Sequence, residues 1–245
     1  MSLSCLETKF PLAGHLPEGV QFWWAGGCVG AELRSFDWSD AGQKGVSELA
    51  AELRVKTITR MRQVHGNHCT QVHRLGTELA DTDACISALS GAFGVMTADC
   101  LPVVACASDG TQVGVAHAGW RGLAGGVLSN WVNGFSCEAQ ALIVWIGPAI
   151  CHSCFQVGHD VVRAFEHAPM FENIDIRPHI KADSSEMGKY RLDLKQLAVT
   201  QLRHLGVEQL VVSELCTMCE PNLHSYRRDA SPHRILCGVA KKDLT

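Results

Sequence analysis

Apolar and polar positions along the chain fall into short apolar runs separated by amphipathic stretches. The runs at 93–96, 101–106, 112–116, 141–146, 209–213 and 235–239 have the length and composition of buried strands. Helical spacing predicts helices over 47–53, 122–132, 161–166 and 193–205. The last is the clearest, with Leu194, Leu197, Ala198, Gln201, Leu202 and Leu205 recurring every three or four residues. Asp193 is placed to cap its first turn and Gly206 to end it. Strands mixed with helices imply a layered α/β or α+β fold. The strands are short and irregularly separated, which points away from a regular βαβ series and towards a mixed sheet or sandwich. Nothing reads as a linker, so residues 1–245 are expected to form a single domain.

Composition narrows the function. Hydrophobic residues make up 47% and charged residues 19%, an ordinary globular balance. The net charge of −4 and the lack of a basic stripe speak against a nucleic-acid partner. The two short basic clusters, Arg227–Arg228 and Lys241–Lys242, read as solvated surface. There is no apolar stretch long enough to span a membrane. Met1 to Leu12 carries Glu7 and Lys9 and has no apolar signal core, so a cytoplasmic location is expected. The twelve cysteines are then expected to be reduced thiols, most of them core filler, as for Cys106 in an apolar run.

Reactive side chains sit where apolar runs meet turns. The segments are Gln63-Val64-His65-Gly66, Thr97-Ala98-Asp99-Cys100-Leu101-Pro102 and Val115-Ala116-His117-Ala118-Gly119-Trp120-Arg121-Gly122. His65, Cys100 and His117 supply two imidazoles and a thiolate, a set that suits zinc and also accepts copper. Three protein ligands leave a fourth position open, the arrangement of a catalytic zinc. The spacings match no short zinc motif, and a satisfied core histidine or buried thiol is the plain alternative. Cys100 with His117 also fits a thiol hydrolase, in which an imidazole activates the nucleophile. A structural metal knot in an interaction protein is a third reading. Two Cys-x-x-Cys elements, at Cys151/Cys154 and Cys216/Cys219, are separated by 61 residues. That gap is too long for the usual double-pair zinc motif, so no metal is expected there. The glycine-rich turn from Gly119 to Gly126 enters a helix and carries Arg121, a candidate anion contact. In Ser225-Tyr226-Arg227-Arg228-Asp229, Arg227 is a second candidate contact, with a surface turn as the alternative.

These motifs occur in one order: Gln-Val-His-Gly, Thr-Ala-Asp-Cys-Leu-Pro, Ala-His-Ala-Gly-Trp-Arg-Gly, Ile-Gly-Pro-Ala-Ile at 146–150, Cys216-Thr217 and Ser-Tyr-Arg-Arg-Asp. Together they resemble the YfiH or laccase-domain family, often labelled polyphenol oxidase, from about Arg60 to Gly238. The resemblance implies an α+β fold with a mixed β-sandwich core flanked by helices. It carries the metal-ligand and catalytic roles onto His65, Cys100 and His117. It implies purine nucleoside and phosphate as substrates, with phosphorolysis of adenosine, inosine or methylthioadenosine and deamination of adenosine. Copper-dependent oxidation of phenols and peptidoglycan precursor editing are also attributed to the family. The chain has no His-x-His pair, which argues against a multicopper mechanism, and lacks the His-x-Glu with Pro-Cys-x-x-Cys of the zinc nucleobase deaminases. One departure stands out. Where the family has an arginine near its N-terminal glycine pair, this chain has Trp24. Phosphorolysis is then expected to be weak unless Arg121 or Arg227 supplies the charge.

Overall fold

The computed structural model describes residues 16–29, 32–76 and 78–243. The Met1–Leu12 segment, expected to lack a signal core, lies outside the described residues. Strand periodicity shows in Val20–Ala25, where Phe22 and Trp24 join one apolar cluster and Trp23 and Ala25 another. The same alternation divides Val103 and Ala105 from Val104 and Cys106 in Leu101–Ala107. Strands buried on both faces must lie inside a stack of layers.

A four-stranded sheet runs Val20–Ala25, Ile235–Lys241, Gly91–Thr97, Ile58–Arg60. A six-stranded sheet runs Gln209–Val212, Leu142–Ile146, Leu101–Ala107, Val113–Ala118, Ala84–Ser87, Cys69–Gln71. Both are mixed. Ile58–Arg60, Gln209–Val212 and Cys69–Gln71 pair parallel to their neighbours, and the remaining pairs are antiparallel. Phe22, Trp24, Phe93 and Val95 of the first sheet pack against Val104, Val115 and Trp145 of the second. The outer face of the four-stranded sheet is covered by helix Asp40–Glu52, through Val46, Leu49 and Ala50. Helices Trp120–Ala124, Val127–Val132, His159–Glu166 and Leu194–His204 cover the outer face of the six-stranded sheet. The fold is α+β, a mixed β-sandwich flanked by helices on both sides, as expected.

The six predicted strands appear with small changes at their ends, and the helix expected over 47–53 begins seven residues earlier, as Asp40–Glu52. Asp193 caps Leu194–His204 by accepting from the Gln196 N–H at 3.0 Å, and Gly206 follows in the left-handed conformation. The single helix expected over 122–132 is two, broken at Gly125 and Gly126. Gly126 takes φ 88°, a conformation that ends one helix and starts the next in a new direction. Cys106 is a fully buried strand residue. No helix among the described residues is long and apolar enough to cross a membrane.

Candidate metal centre and its cavity

Strand register builds the site. Leu101 pairs with Ala118 and Pro102 with His117. Cys100, one residue before its strand, therefore meets Gly119 just beyond the end of the partner strand. Ala84 pairs with Ala116 on the other side of the same strand, which carries Asp83 to His117. His65 comes from the loop after Ile58–Arg60. Gln63 anchors that loop to the sheet edge, donating to the Met96 carbonyl at 2.7 Å and accepting from the Met96 N–H at 2.8 Å. The ligand atoms of His65, Cys100 and His117 lie within 4.8 Å of one another. Their residues range from exposed His65 to His117, which is 2% exposed.

Asp83 had no role in the motif reading, yet it organises the site. Its carboxylate is buried and accepts the backbone N–H groups of Val64, His65 and Gly66 at 3.1, 3.0 and 2.8 Å. These bonds hold His65 at φ 60°, a left-handed conformation that costs about 1–3 kcal/mol outside glycine. The same carboxylate lies 2.7 Å from His117 Nδ1. A carboxylate only accepts, so His117 donates from Nδ1, and Nε2 is its candidate ligand atom. Burial works against the charge on Asp83, but the bonds from His117 and the loop hold its pKa below the ordinary carboxylate value.

Burial also opposes a thiolate at Cys100. The His117 and His65 rings outweigh it and bring the Cys100 pKa down to about 6. His117, likewise disfavoured by burial, is raised to about 9 by the Cys100 thiolate and Asp83. Burial pushes Cys69, Cys85 and Cys106 up to about 12. In metal-free protein Cys100 is thus a thiolate at a pH where these three are not. Iodoacetamide labelling of Cys100, followed by peptide mass, is expected to stay fast as pH falls from 9 and to slow only below about 6. A rate that already falls below pH 9 would contradict this pairing.

The backbone approaches the three ligands closely at Gly119. A Cβ there would lie 3.0 Å from Cys100 Sγ and 3.1 Å from His65 Cδ2. Gly119→Ala is therefore expected to keep the fold and weaken metal binding about tenfold or more by displacing ligands. Competition against a chelator of known affinity measures it, and an unchanged affinity would refute it.

These three candidate ligands open into a cavity of about 1020 Å³. Its apolar wall includes Trp38, Met96, Trp120, Phe155 and Tyr226. Arg121 and Arg227, the two arginines singled out above, both line it, and so does Arg234, which the motifs did not flag. Arg121 stacks on Trp120 at 4.2 Å. Arg227 donates to the Gln156 carbonyl at 2.9 Å and lies over Phe155. Arg234 donates to the Ser231 and His233 carbonyls. Each has further N–H groups free of these contacts to meet an anion. Asp99, beside Cys100, accepts from the Thr217 and Ser225 hydroxyls at 2.6 and 2.8 Å and from the Arg227 N–H at 2.6 Å. It ties the segment carrying Arg227 to the turn carrying Cys100.

One expectation is corrected, and the residue behind another is located. Trp24 lies in the core between the sheets, 7% exposed and away from the cavity wall. Its side chain alternates towards the second sheet. The Cys-x-x-Cys pairs, expected to stay apart, come together: the sulfurs of Cys151, Cys154, Cys216 and Cys219 lie within 4.8 Å of one another. Sheet order overrides sequence distance here, because Leu142–Ile146 and Gln209–Val212 are paired neighbours and the two cysteine loops follow their ends.

A family model described as multi-copper polyphenol oxidoreductase laccase matches residues 31–239. The chain belongs to this laccase-domain, or YfiH, family. Purine nucleoside phosphorylase YfiH of Escherichia coli is 38% identical over 178 residues, covering 71% of this chain and 70% of that one. Adenosine deaminase RL5, from an unknown prokaryotic organism, is 36% identical over 173 residues, covering 67% of this chain and 64% of that one. A solved Neisseria meningitidis protein superposes with a TM-score of 0.80 at 30% identity, over 93% of this chain and 96% of that one. Among the described residues of this laccase-domain chain, the groups able to hold a metal are the cysteine–histidine trio and the cysteine quartet. Neither is a histidine-rich, multi-metal set of the kind the family description suggests.

Proposed function

We propose that this laccase-domain protein is a zinc-dependent purine nucleoside enzyme. It splits adenosine, inosine or methylthioadenosine with phosphate, and deaminates adenosine at the same site. The observation that carries this reading is the convergence of His65, Cys100 and His117 on the wall of a large cavity that also holds aromatic rings and arginines. The donor set fits zinc: one thiolate and two imidazoles, with His117 oriented through Nδ1 by Asp83. Zinc bound there supplies a Lewis acid at the substrate.

The chain's own residues do the rest. Trp38 and Tyr226 are large exposed aromatics on the cavity wall, suited to stack on a planar purine. Arg121, Arg227 and Arg234 are anchored by rings or carbonyls and present donors to a phosphate. Asp83 keeps the His117 proton on Nδ1, and Asp99 holds Arg227 against the Cys100 turn. The Escherichia coli and RL5 relatives, named for phosphorolysis and deamination, support the two reactions.

Chromatography of adenosine reactions tests the proposal. Inosine is expected without phosphate, and adenine with ribose 1-phosphate in its presence. Arg227→Ala is expected to raise the KM for phosphate about tenfold, the loss of one charge-assisted bond, and to leave phosphate-free deamination nearly unchanged. The same donor set accepts copper, and the family description favours phenol oxidation as the second reading. No nucleoside product together with robust copper-dependent phenol oxidation would reverse the ranking.

A further inference from the structure

The cysteine quartet lies outside the nucleoside cavity and has no part in the chemistry proposed there. Its loops come from two places. Cys151 and Cys154 follow Leu142–Ile146, and Cys216 and Cys219 follow Gln209–Val212. The Cys154 and Cys219 sulfurs are 3.4 Å apart, and those of Cys151 and Cys219 4.0 Å. With Zn–S bonds of about 2.3 Å, sulfurs at the corners of a tetrahedron lie roughly 3.8 Å apart. The observed spacings bracket that value, and a disulfide would need about 2 Å. Each pair is wound into a tight turn: the Cys154 and Phe155 N–H groups donate to the Cys151 carbonyl, and the Glu220 N–H to the Cys216 carbonyl. Such turns aim both sulfurs of a pair the same way. The Cys151 N–H donates to Cys216 Sγ at 3.2 Å, across the two loops, a bond that supports thiolate charge.

Both loops are also gripped from outside by polar side chains. Arg191 donates to the Ser153 carbonyl, and Arg228 to the carbonyls of Thr217, Met218 and Glu220. Preorganised sulfurs, backbone donors to sulfur and held loops are the features of a closed metal site rather than of four stray thiols.

We infer that Cys151, Cys154, Cys216 and Cys219 bind a second, structural zinc. Four protein ligands leave no open position, so this metal has no direct role in turnover. Its role is positional. The Ile150 N–H donates to the Asp99 carbonyl and the Thr217 hydroxyl to the Asp99 carboxylate, so each cysteine loop touches the turn that carries Cys100. The metal joins segments 61 residues apart and fixes the back of the catalytic turn.

Zinc content of full-length protein, measured by mass spectrometry of the metal, tests the inference. Two equivalents per chain are expected in the wild type. One is expected in Cys154→Ser/Cys219→Ser, and one in Cys100→Ala. If the double serine variant fails to fold, cobalt loading of Cys100→Ala provides the second measurement. That protein keeps only the quartet, and one equivalent of cobalt is expected to give the intense sulfur-to-metal absorption of a four-thiolate tetrahedral site. One zinc in the wild type, lost entirely in Cys100→Ala, overturns the inference, as does a Cys154–Cys219 disulfide in a non-reducing peptide map. Loss of nucleoside activity with two zincs retained would refute the proposed function and leave this site standing.

Discussion

Cys100→Ala is expected to lose one equivalent of zinc and to lower nucleoside turnover by more than about 100-fold. Even residues that only orient metal ligands cost about 10–100-fold when removed, and Cys100 is itself a proposed ligand. Among the described residues, no fourth histidine, cysteine or carboxylate groups with these three, so none stands in place to replace Cys100. Chelation separates this outcome from the thiol hydrolase reading. A metal enzyme loses activity when stripped and regains it with zinc. A nucleophilic Cys100 would remain active in verified metal-free protein and be trapped by an electrophile as a covalent adduct. Such behaviour would overturn the metal reading, and the low pKa of Cys100 makes the experiment a fair one.

Asp83→Asn is expected to weaken zinc binding about 10–100-fold and to destabilise the fold. Asparagine keeps the shape of the side chain but turns one oxygen into a donor. Asp83 accepts three backbone N–H groups and the His117 Nδ1 proton through two oxygens, so at least one buried donor then loses its acceptor. An unsatisfied buried donor costs about 1–3 kcal/mol. The pH dependence follows in sign. The folded pKa of Asp83 is depressed, so its contribution to stability is present above the unfolded carboxylate value, about 3.9, and lost as pH falls through the lower folded value. Wild-type metal-free protein should lose stability into acid more steeply than Asp83→Asn. Denaturant melts of both proteins as pH falls from 6 test this, and parallel curves would refute the assigned role.

The site was legible in part. Cys100 and His117 stand at the ends of consecutive strands in an antiparallel hairpin, so reading the strands nearly brings them together. His65 entered by its donor chemistry and motif. Asp83 carried a weak signal, as a polar residue just before the apolar run Ala84-Cys85-Ile86, but its bonds reach 17 to 34 residues along the chain. Arg234 gave none that distinguished it from any surface arginine ahead of a strand. Arg227 had two readings, cavity contact or surface turn; it is exposed and also lines the cavity, with its backbone held by Asp99.

Hydrophobic periodicity determined six of the ten strands in the two main sheets, the capped helix at Leu194–His204 and the layered α+β class, because each depends on neighbours within a few residues. Donor chemistry in the sequence also limited the candidate metal ligands to a few histidines and cysteines. Sheet order and register belong to tertiary structure alone. They set Asp83 against His117, turned Trp24 into the core between the sheets, and brought Cys151 and Cys154 to Cys216 and Cys219. Local pattern is blind to such pairings, because strands distant in sequence become neighbours only when the apolar faces of whole sheets are buried together.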